Sequence, residues 1–227
     1  MARRPYVLLS AAMSADGYID DSASGRLILS DEADFDRVDG VRASADAILV
    51  GAGTVRLDNP GLRVRSAARR ADRERRGRPG SPVRVTLTGG GSLDPGARFF
   101  AADDNVDRLV YAPAAVAPAV AERLGPAATV IGCGDPVSLA GMLADLADRG
   151  VGRLMVEGGA AILGQFLGAG LADELQLAVA PVLVADEAAP RLIRPPGPAE
   201  WPRQLRLTQV SQVGRMALLS YHLIAGG

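Results

Sequence analysis

The sequence contains no lysine, a single cysteine and a single histidine, and each shortage excludes a class of function. Cys133 cannot form a disulfide within the chain, and one cysteine with one histidine cannot make an ordinary zinc site or a Cys/His nucleophile pair. We therefore predict no metal and an intracellular, cytoplasmic protein. His222 follows an apolar run, where we expect a surface or edge histidine and not a catalytic one.

Long apolar stretches are also missing from the chain. No run of about 18 unbroken apolar residues exists, so we predict that nothing spans a membrane. The start of the chain, Arg3-Arg4 followed by residues 6–13, is only faintly similar to a signal peptide. Residues typical of a turn follow directly at positions 14–17. We therefore predict no export.

All 25 basic residues are arginines, and a group of them lies between Ser66 and Ser81 without apolar periodicity. This pattern predicts a solvated loop within one domain. The alternative is a nucleic-acid-binding arm, but the formal net charge is −1 and no aromatic residues interleave with the arginines for base stacking. We predict no nucleic-acid partner.

Strand and helix patterns alternate along most of the chain, with no linker, so we predict a single domain over residues 1–227. After about residue 175 the pattern changes to strands without long helices between them. The fold class predicted is α/β, with a mixed, mostly parallel sheet flanked by helices and antiparallel C-terminal edge strands. The predicted strands are residues 6–13, 46–50, 83–88, 108–111, 128–131, 154–156, 175–184, 205–213 and 216–224, and the predicted helices begin near residues 31, 137 and 160.

The most informative segment is residues 46–60, an apolar run followed by two glycines and a short helical pattern. The run predicts a strand buried on both faces, and the glycines permit a sharp turn and a close approach to a ligand. Thr54 and Asp58 lie four residues apart and point the same way, and Asn59-Pro60 ends the turn. The pattern indicates a polar helical turn at the end of a sheet strand, where a ligand could bind. The alternative is an ordinary strand-to-helix connection.

A second segment has the same form. Residues 154–156 predict a short buried strand that leads into Glu157, then Gly158-Gly159, then a helical pattern at residues 160–167. Free N–H groups at a helix start without side chains favour a phosphate or pyrophosphate. A glutamate at the end of a buried strand needs a partner, and in a cleft it can bind hydroxyls or a heterocycle.

Taken together, the motifs of this chain resemble the reductase domain of riboflavin biosynthesis, a relative of dihydrofolate reductase. The motifs occur in order over nearly the whole length, and they are Arg3 to Val7, Ala12 to Gly17, Val41-Arg42-Ala43, Asp46 to Pro60, Leu62 to Arg65, Val156 to Gly159, and Gly170 to Glu174 with Ala180-Pro181. The H-x-E and P-C-x-x-C motifs of the fused zinc deaminase are absent, so the resemblance implies the stand-alone type.

The resemblance implies an NADPH-dependent reductase that converts a ribosylamino-pyrimidine 5′-phosphate to the ribitylamino product, and a homodimer in contact through the strands after residue 175. The residues it implies for NADPH binding are Met13, Thr54, Asp58, Thr88, Gly158, Gly159, Ala160, Ala161, Ile162 and Leu163, in a helix-opening stretch that continues to Gln165. The residues it implies for the substrate are Arg42, Leu62, Arg65 and Glu157, with Glu157 also the catalytic candidate.

Two positions depart from the family pattern. Bifunctional bacterial members carry a lysine where this chain has Ser10, and Arg26 is a candidate for the missing charge or a solvent-exposed residue. Stand-alone archaeal and fungal members also lack that lysine and act on the diaminopyrimidine before deamination. The alternatives left open are a reductase of the same fold that acts on another heterocycle, such as a pterin or a specialised metabolite, and a non-catalytic nucleotide-binding protein.

Overall fold

The computed structural model describes residues 3–23, 27–102, 105–193 and 203–224, so Arg26 lies outside the described residues. The strands are β1 (Tyr6–Ser14), β2 (Ala47–Gly51), β3 (Val83–Leu87), β4 (Arg108–Ala112), β5 (Thr129–Gly132), β6 (Arg153–Glu157), β7 (Glu174–Ala180), β8 (Leu205–Val213) and β9 (Met216–Leu223). The helices are α1 (Glu32–Ser44), α2 (Ala52–Asp58), α3 (Ala67–Arg75), α4 (Ala117–Leu124), α5 (Leu139–Asp148) and α6 (Ala160–Gly168), with short 3-10 turns at Arg98–Phe100 and Gly125–Ala127.

The chain divides into two compact units, and neither is continuous in sequence. Unit 1 comprises the described residues of Met1–Tyr6 and Asp39–Met155, and unit 2 those of Val7–Val38 and Val156–Gly227. Along the sequence the chain passes from unit 1 to unit 2, back to unit 1 and again to unit 2. Each unit therefore consists of two separate segments. A single domain over residues 1–227 stays a prediction.

Unit 1 is built on parallel strands in the order β5-β4-β3-β2. All five residues of β2 are buried, as the unbroken apolar run predicts for a parallel strand covered on both faces. Asp46, just before β2, accepts hydrogen bonds from the N–H groups of Gly152 (3.0 Å) and Arg153 (2.8 Å), which fixes the start of β6 beside β2.

Unit 2 contains β1, β7, β9 and β8 in that order. β1 and β7 are parallel, whereas the pairs β7–β9 and β8–β9 are antiparallel, so the fold class predicted from the sequence is confirmed. The predicted strand at residues 175–184 ends earlier, at Ala180. A small core of Leu29, Ala178, Ala180, Met216 and Leu218 lies on one face of these strands.

The β8–β9 hairpin turn is tied to the start of α1. Asp31 accepts hydrogen bonds from the N–H groups of Asp34 (3.0 Å) and Arg215 (2.9 Å), so one carboxylate caps the helix and holds the turn. Gly214 has φ +56°, and a Cβ there would clash with the Asp31 carboxylate. The turn therefore requires glycine for both its backbone and its space.

The prediction of a loop between Ser66 and Ser81 is wrong, because helix α3 occupies residues 67–75. The Ser66 hydroxyl caps the helix by accepting the N–H of Arg69 at 3.3 Å. The helix lacks apolar periodicity because its buried residue is Arg73, which is 3% exposed. The Arg73 guanidinium donates to the carbonyls of Ala43 (2.8 Å) and Ala45 (2.7 Å), and a charged side chain thus takes the place of an apolar anchor.

A second buried arginine generates a stability prediction. Arg84, on β3, is fully buried and donates to the carbonyls of Phe99 (2.9 Å) and Ala101 (3.1 Å). Arg84→Met leaves these buried acceptors without their donor, so we expect a loss of about 2–4 kcal/mol of unfolding free energy. Urea unfolding followed by circular dichroism measures it. Arg75→Met, at a side chain that is 68% exposed, should change stability by less than about 1 kcal/mol; equal losses in both variants would contradict a structural role for Arg84.

Candidate active site

The polar helical turn predicted after β2 is present in unit 1. β2 ends at Gly51, which starts α2, and α2 ends at Asn59 in the left-handed conformation (φ 44°, ψ 54°). Thr54 and Asp58 are partly buried and lie one helical turn apart, as their spacing predicts. Asparagine tolerates the left-handed region better than most residues, so Asn59 explains where the helix stops.

Residues 59–66, which we name the arginine loop, connect α2 to α3. Leu62 is 3% exposed and has φ 49°, an uncommon conformation for a non-glycine residue with a large side chain. The N–H of Val64 donates to the Ser81 hydroxyl at 3.1 Å, and Arg70 donates to the carbonyl of Val64 at 2.9 Å. Side chains from outside the loop thus satisfy its backbone and hold it in a strained shape.

Asp39, on α1, is the strongest anchor of the arginine loop, and the sequence analysis missed it. Its carboxylate accepts the N–H groups of Arg65 and Ser66, the latter at 3.1 Å, and pairs with Arg69 at 3.0 Å. Burial raises the pKa of the Asp39 carboxyl, but these hydrogen bonds and the Arg69 charge outweigh burial and hold the pKa below its ordinary value. Its side chain fixes the backbone of the position from which Arg65 projects.

Arg42 and Arg65, two of the substrate-binding residues that the resemblance implies, differ in their surroundings. Arg42 is partly buried on α1 and donates to the carbonyl of Arg63 at 3.2 Å, so it braces the arginine loop. Arg65 is exposed. The structure brings the Arg42 side chain to the arginine loop, two residues before Arg65, although 23 positions separate the two arginines in sequence.

Thr88, the remaining cofactor candidate of unit 1, follows β3. It is 3% exposed, and its hydroxyl accepts the N–H of Gly91 at 2.9 Å. This hydrogen bond shapes the glycine-rich turn at residues 89–91. The Thr88 hydroxyl therefore has a local structural role.

Unit 2 carries the other candidates. Glu157 is the last residue of β6 and is partly buried, and Gly158 (φ 74°) and Gly159 (φ 88°) lead from it into α6. Within α6, Ile162 and Leu163 are buried and both donate their N–H to the Gly159 carbonyl, at 3.0 and 3.1 Å. A Cβ at Gly158 would meet no atom within 4 Å, so the approach to the helix start is open.

Ala160, Ala161 and Met13 complete the unit 2 set. The two alanines form the first turn of α6, and Met13 is partly buried near the end of β1, where it pairs with Val179 of β7. The predicted residues thus form two local groups, one on each unit: Arg42, Thr54, Asp58, Leu62, Arg65 and Thr88 in unit 1, and Met13 with Glu157 to Leu163 in unit 2.

Two features are absent from the described ranges of the chain. Within them, no group of three or more His, Cys, Asp or Glu side chains could hold a metal ion. No helix there has both the length and the apolar character that crossing a bilayer requires.

Comparison with known proteins gives one consistent family. The model of the RibD C-terminal domain family matches residues 5–219 of this chain. A 2,5-diamino-6-ribosylamino-4(3H)-pyrimidinone 5′-phosphate reductase of Archaeoglobus fulgidus is 34% identical over 189 residues, which are 82% of this chain and 85% of the relative. The chain belongs to the RibD C-terminal domain family.

Solved structures agree on the fold. A pyrimidine reductase-like protein of Corynebacterium diphtheriae is 25% identical and has a TM-score of 0.82, covering 98% of this chain and 93% of its own. Dihydrofolate reductase of Enterococcus faecalis is 13% identical with a TM-score of 0.50, covering 96% of each chain. This second likeness concerns the fold alone, and it agrees with the dihydrofolate-reductase-like architecture that the motifs imply.

The lowered pKa of Asp39 generates a pH prediction. Its stabilising effect is present above about pH 4, the ordinary range of an aspartate, and is lost as the pH falls through the lower folded-state value. We expect Asp39→Asn to lower the melting temperature at pH 7, with a gap to the wild type that closes on acidification. Thermal unfolding of both proteins between about pH 2 and pH 8 measures the gap. A gap independent of pH would mean that the Asp39 charge does not hold the loop.

Proposed function

We propose that this protein is an NADPH-dependent reductase that converts a ribosylamino-pyrimidine 5′-phosphate to the ribitylamino product, in the cytoplasm. The observation that carries the proposal is the 34% identity to a named reductase of this type over more than four fifths of both chains. Three segments carry most of the site residues that the resemblance implies. They are the turn from β2 to α2, the arginine loop that Arg42 contacts, and helix α6, which follows Gly158 and Gly159.

The start of α6 fits a dinucleotide phosphate. The N–H groups of Ala160 and Ala161 lie in the first turn of the helix, where the helix itself offers no acceptor, and the helix dipole favours an anion there. Because Ile162 and Leu163 already donate to the Gly159 carbonyl, we assign them a supporting role through the backbone. A Cβ at Gly158 would meet no atom within 4 Å, so this glycine leaves room for the phosphate to approach.

Thr54, Asp58, Thr88 and Met13 complete the proposed cofactor contacts. Thr54 and Asp58 offer polar groups one turn apart on α2, which suit ribose or amide groups of a nucleotide. NADPH, when bound, would supply a hydride to carbon 1′ of the opened, imine-like ribosylamino group. The π electrons of the C=N bond would then move to the nitrogen, which would take up a proton from water. The chain then needs to position and polarise the substrate, and no nucleophilic side chain is required.

Each unit would supply substrate contacts of its own, unit 1 from the arginine loop and unit 2 from Glu157. Arg65 is exposed, and its guanidinium would bind a phosphate monoester with two parallel hydrogen bonds. Arg42 reaches the same loop, and Leu62 supplies a buried apolar base beneath it. Glu157 would accept polar hydrogens of the pyrimidine or sugar and thereby orient carbon 1′.

The proposed function predicts which substrate is reduced. The named stand-alone relative acts on the diamino compound, so we expect NADPH oxidation with the diaminopyrimidine and slower oxidation with its deaminated counterpart. The loss of NADPH absorbance on addition of each compound measures the two rates. No oxidation with either pyrimidine would overturn the proposal; binding without turnover would then favour a nucleotide-binding protein, and turnover of another heterocycle a different reductase.

Two variants separate the proposed roles in the same assay. Glu157→Gln keeps the size of the side chain but removes its charge, so it should lower kcat about a hundredfold or more. Asp58→Ala should raise the KM for NADPH and leave the melting temperature nearly unchanged, because a partly buried cleft residue contributes little packing. A large loss of melting temperature with normal kinetics would make Asp58 a turn residue.

We also propose a homodimer, formed by β8 of two copies. β8 lies at the end of the strand order of the described chain, and its Leu205, Leu207 and Val210 are 37%, 51% and 62% exposed. They continue an apolar face, since Leu207 pairs with Tyr221 and Val210 with Leu219 on β9. A nine-residue edge strand with apolar side chains tends to find a partner, and a second identical antiparallel edge is self-complementary.

Light scattering after size-exclusion chromatography tests the dimer. We expect a mass near twice the chain mass of 23.5 kDa for the wild type. Leu207→Arg, which places a charge on the proposed contact, should shift the protein toward the monomer with the fold intact by circular dichroism. Leu57→Arg is the matched control, because Leu57 is 87% exposed on α2. A monomeric wild type, or a dimer that neither substitution affects, would contradict the proposed contact.

A further inference from the structure

We propose that the glycine-rich turn at residues 89–91, together with Arg56 and Arg123, is a phosphate-monoester site that binds the 2′-phosphate of NADPH. The resemblance implies no role for either arginine or for the turn, although Thr88, which precedes the turn, is a cofactor candidate. The identity of this ligand rests on the proposed function, in which NADPH is the cofactor. The preference for a phosphate can be measured by binding alone.

The glycine-rich turn has a fixed backbone. Gly91 has φ +70°, and a Cβ there would clash with the Val120 side chain of α4, so the turn packs closely against this helix. The Thr88 hydroxyl accepts the N–H of Gly91 at 2.9 Å, and the Gly91 carbonyl accepts the N–H of Leu93 at 2.9 Å. A ligand would therefore meet a backbone that is already ordered.

Gly89 and Gly90 form the open side of the turn. Both are exposed, and a Cβ at either position would meet no atom within 4 Å. Neither has a positive φ, so their backbone conformations do not demand glycine. Within the described part of the chain, no hydrogen bond uses the N–H group of either residue. Successive backbone N–H groups that lack an acceptor can bind an anion.

Two arginines from separate helices reach this turn. Arg56, on α2, donates from Nη1 to the carbonyl of Ser92 at 3.2 Å, and Arg123, on α4, donates from Nη1 to the carbonyl of Gly91 at 3.0 Å. These carbonyls belong to consecutive residues, so both guanidinium groups lie at the same turn. Both arginines are exposed, and each guanidinium has further N–H donors for a ligand.

The charges at the turn favour an anion. Among the residues that the structure describes, no carboxylate forms an ion pair with Arg56 or Arg123. Their carbonyl partners carry no net charge, so neither positive charge is neutralised. Two planar guanidinium groups suit a ligand with two negative charges and oxygens that accept paired hydrogen bonds. A phosphate monoester has both properties.

The surroundings of the turn favour the phosphate of the cofactor. β2 and β3 are parallel, with Gly51 opposite Leu87, so α2 and the turn both start from the same edge of the sheet. Arg56 lies on α2 between Thr54 and Asp58, which are both cofactor candidates. The other source of a phosphate monoester is the 5′-phosphate of the pyrimidine substrate, whose candidates in unit 1 belong to α1 and the arginine loop.

Calorimetric titration of the full chain tests the site with pairs of ligands that differ only in one phosphate. The pairs are NADPH with NADH, adenosine 2′,5′-bisphosphate with adenosine 5′-monophosphate, and the ribosylamino-pyrimidine 5′-phosphate with its dephosphorylated form. We expect the wild type to prefer the 2′-phosphorylated member of the first two pairs at least about tenfold. Arg56→Gln and Arg123→Gln should each weaken that member about three- to thirtyfold and leave its counterpart unchanged.

Matched variants control for fold and charge. Gly90→Asp places a negative charge in the open space, so it should weaken the 2′-phosphorylated ligands, whereas Gly90→Asn, of the same size without the charge, should weaken them less. Both should keep the melting temperature of the wild type within a few degrees. Arg76→Gln removes a positive charge from a side chain that is 71% exposed and paired with Asp72, and it should change no affinity.

The outcomes separate this site from the proposed function. A wild type without preference for the 2′-phosphate, or equal losses for both members of a pair in the arginine variants, would overturn the inference. A loss confined to the pyrimidine 5′-phosphate would also overturn it, because the turn would then bind the substrate. A wild type that shows the expected preference but never oxidises NADPH would overturn the proposed function instead.

Discussion

The carboxylate of Asp39 is the interaction on which the candidate site of unit 1 depends. The arginine loop carries two arginines, Arg63 and Arg65, and its backbone N–H groups need hydrogen-bond acceptors. The Asp39 carboxylate provides these acceptors, because it accepts the N–H groups of Arg65 and Ser66. The Arg69 guanidinium balances its charge. Asp39 thereby fixes the backbone from which the exposed Arg65 side chain extends.

Arginine has two separate uses in this chain, and burial distinguishes them. Arg73 and Arg84 are buried and donate to backbone carbonyls, where they replace apolar packing as the link between segments. Arg65 and Arg98 are exposed and keep their side chains at the surface, while Arg42 is intermediate and braces a loop. In a chain without lysine, residues of one type thus differ in burial and in hydrogen-bond partners, which composition alone does not reveal.

The sequence predicted most of the strands, because a buried parallel strand such as β2 reads as an unbroken apolar run. It failed at α3, where the buried residue is Arg73 and no apolar period exists. It also missed Asp39, since a single aspartate within a helical pattern carries no local sign that it accepts two N–H groups from a loop 26 residues away. For the site, the spacing of Thr54 and Asp58 and the Gly158-Gly159 pair were readable locally, whereas the meeting of Arg42 with the arginine loop depends on tertiary structure.

The contact between Asp31 and the β8–β9 turn has a consequence for local unfolding. The same carboxylate caps α1 and holds the turn at Arg215, so the first turn of the helix cannot fray without releasing the hairpin. Segments far apart in sequence that share one hydrogen-bond acceptor tend to open together, as one cooperative unit. Amide hydrogens at the start of α1 and in the β8–β9 hairpin should therefore exchange with solvent at similar rates, although about 180 residues separate them.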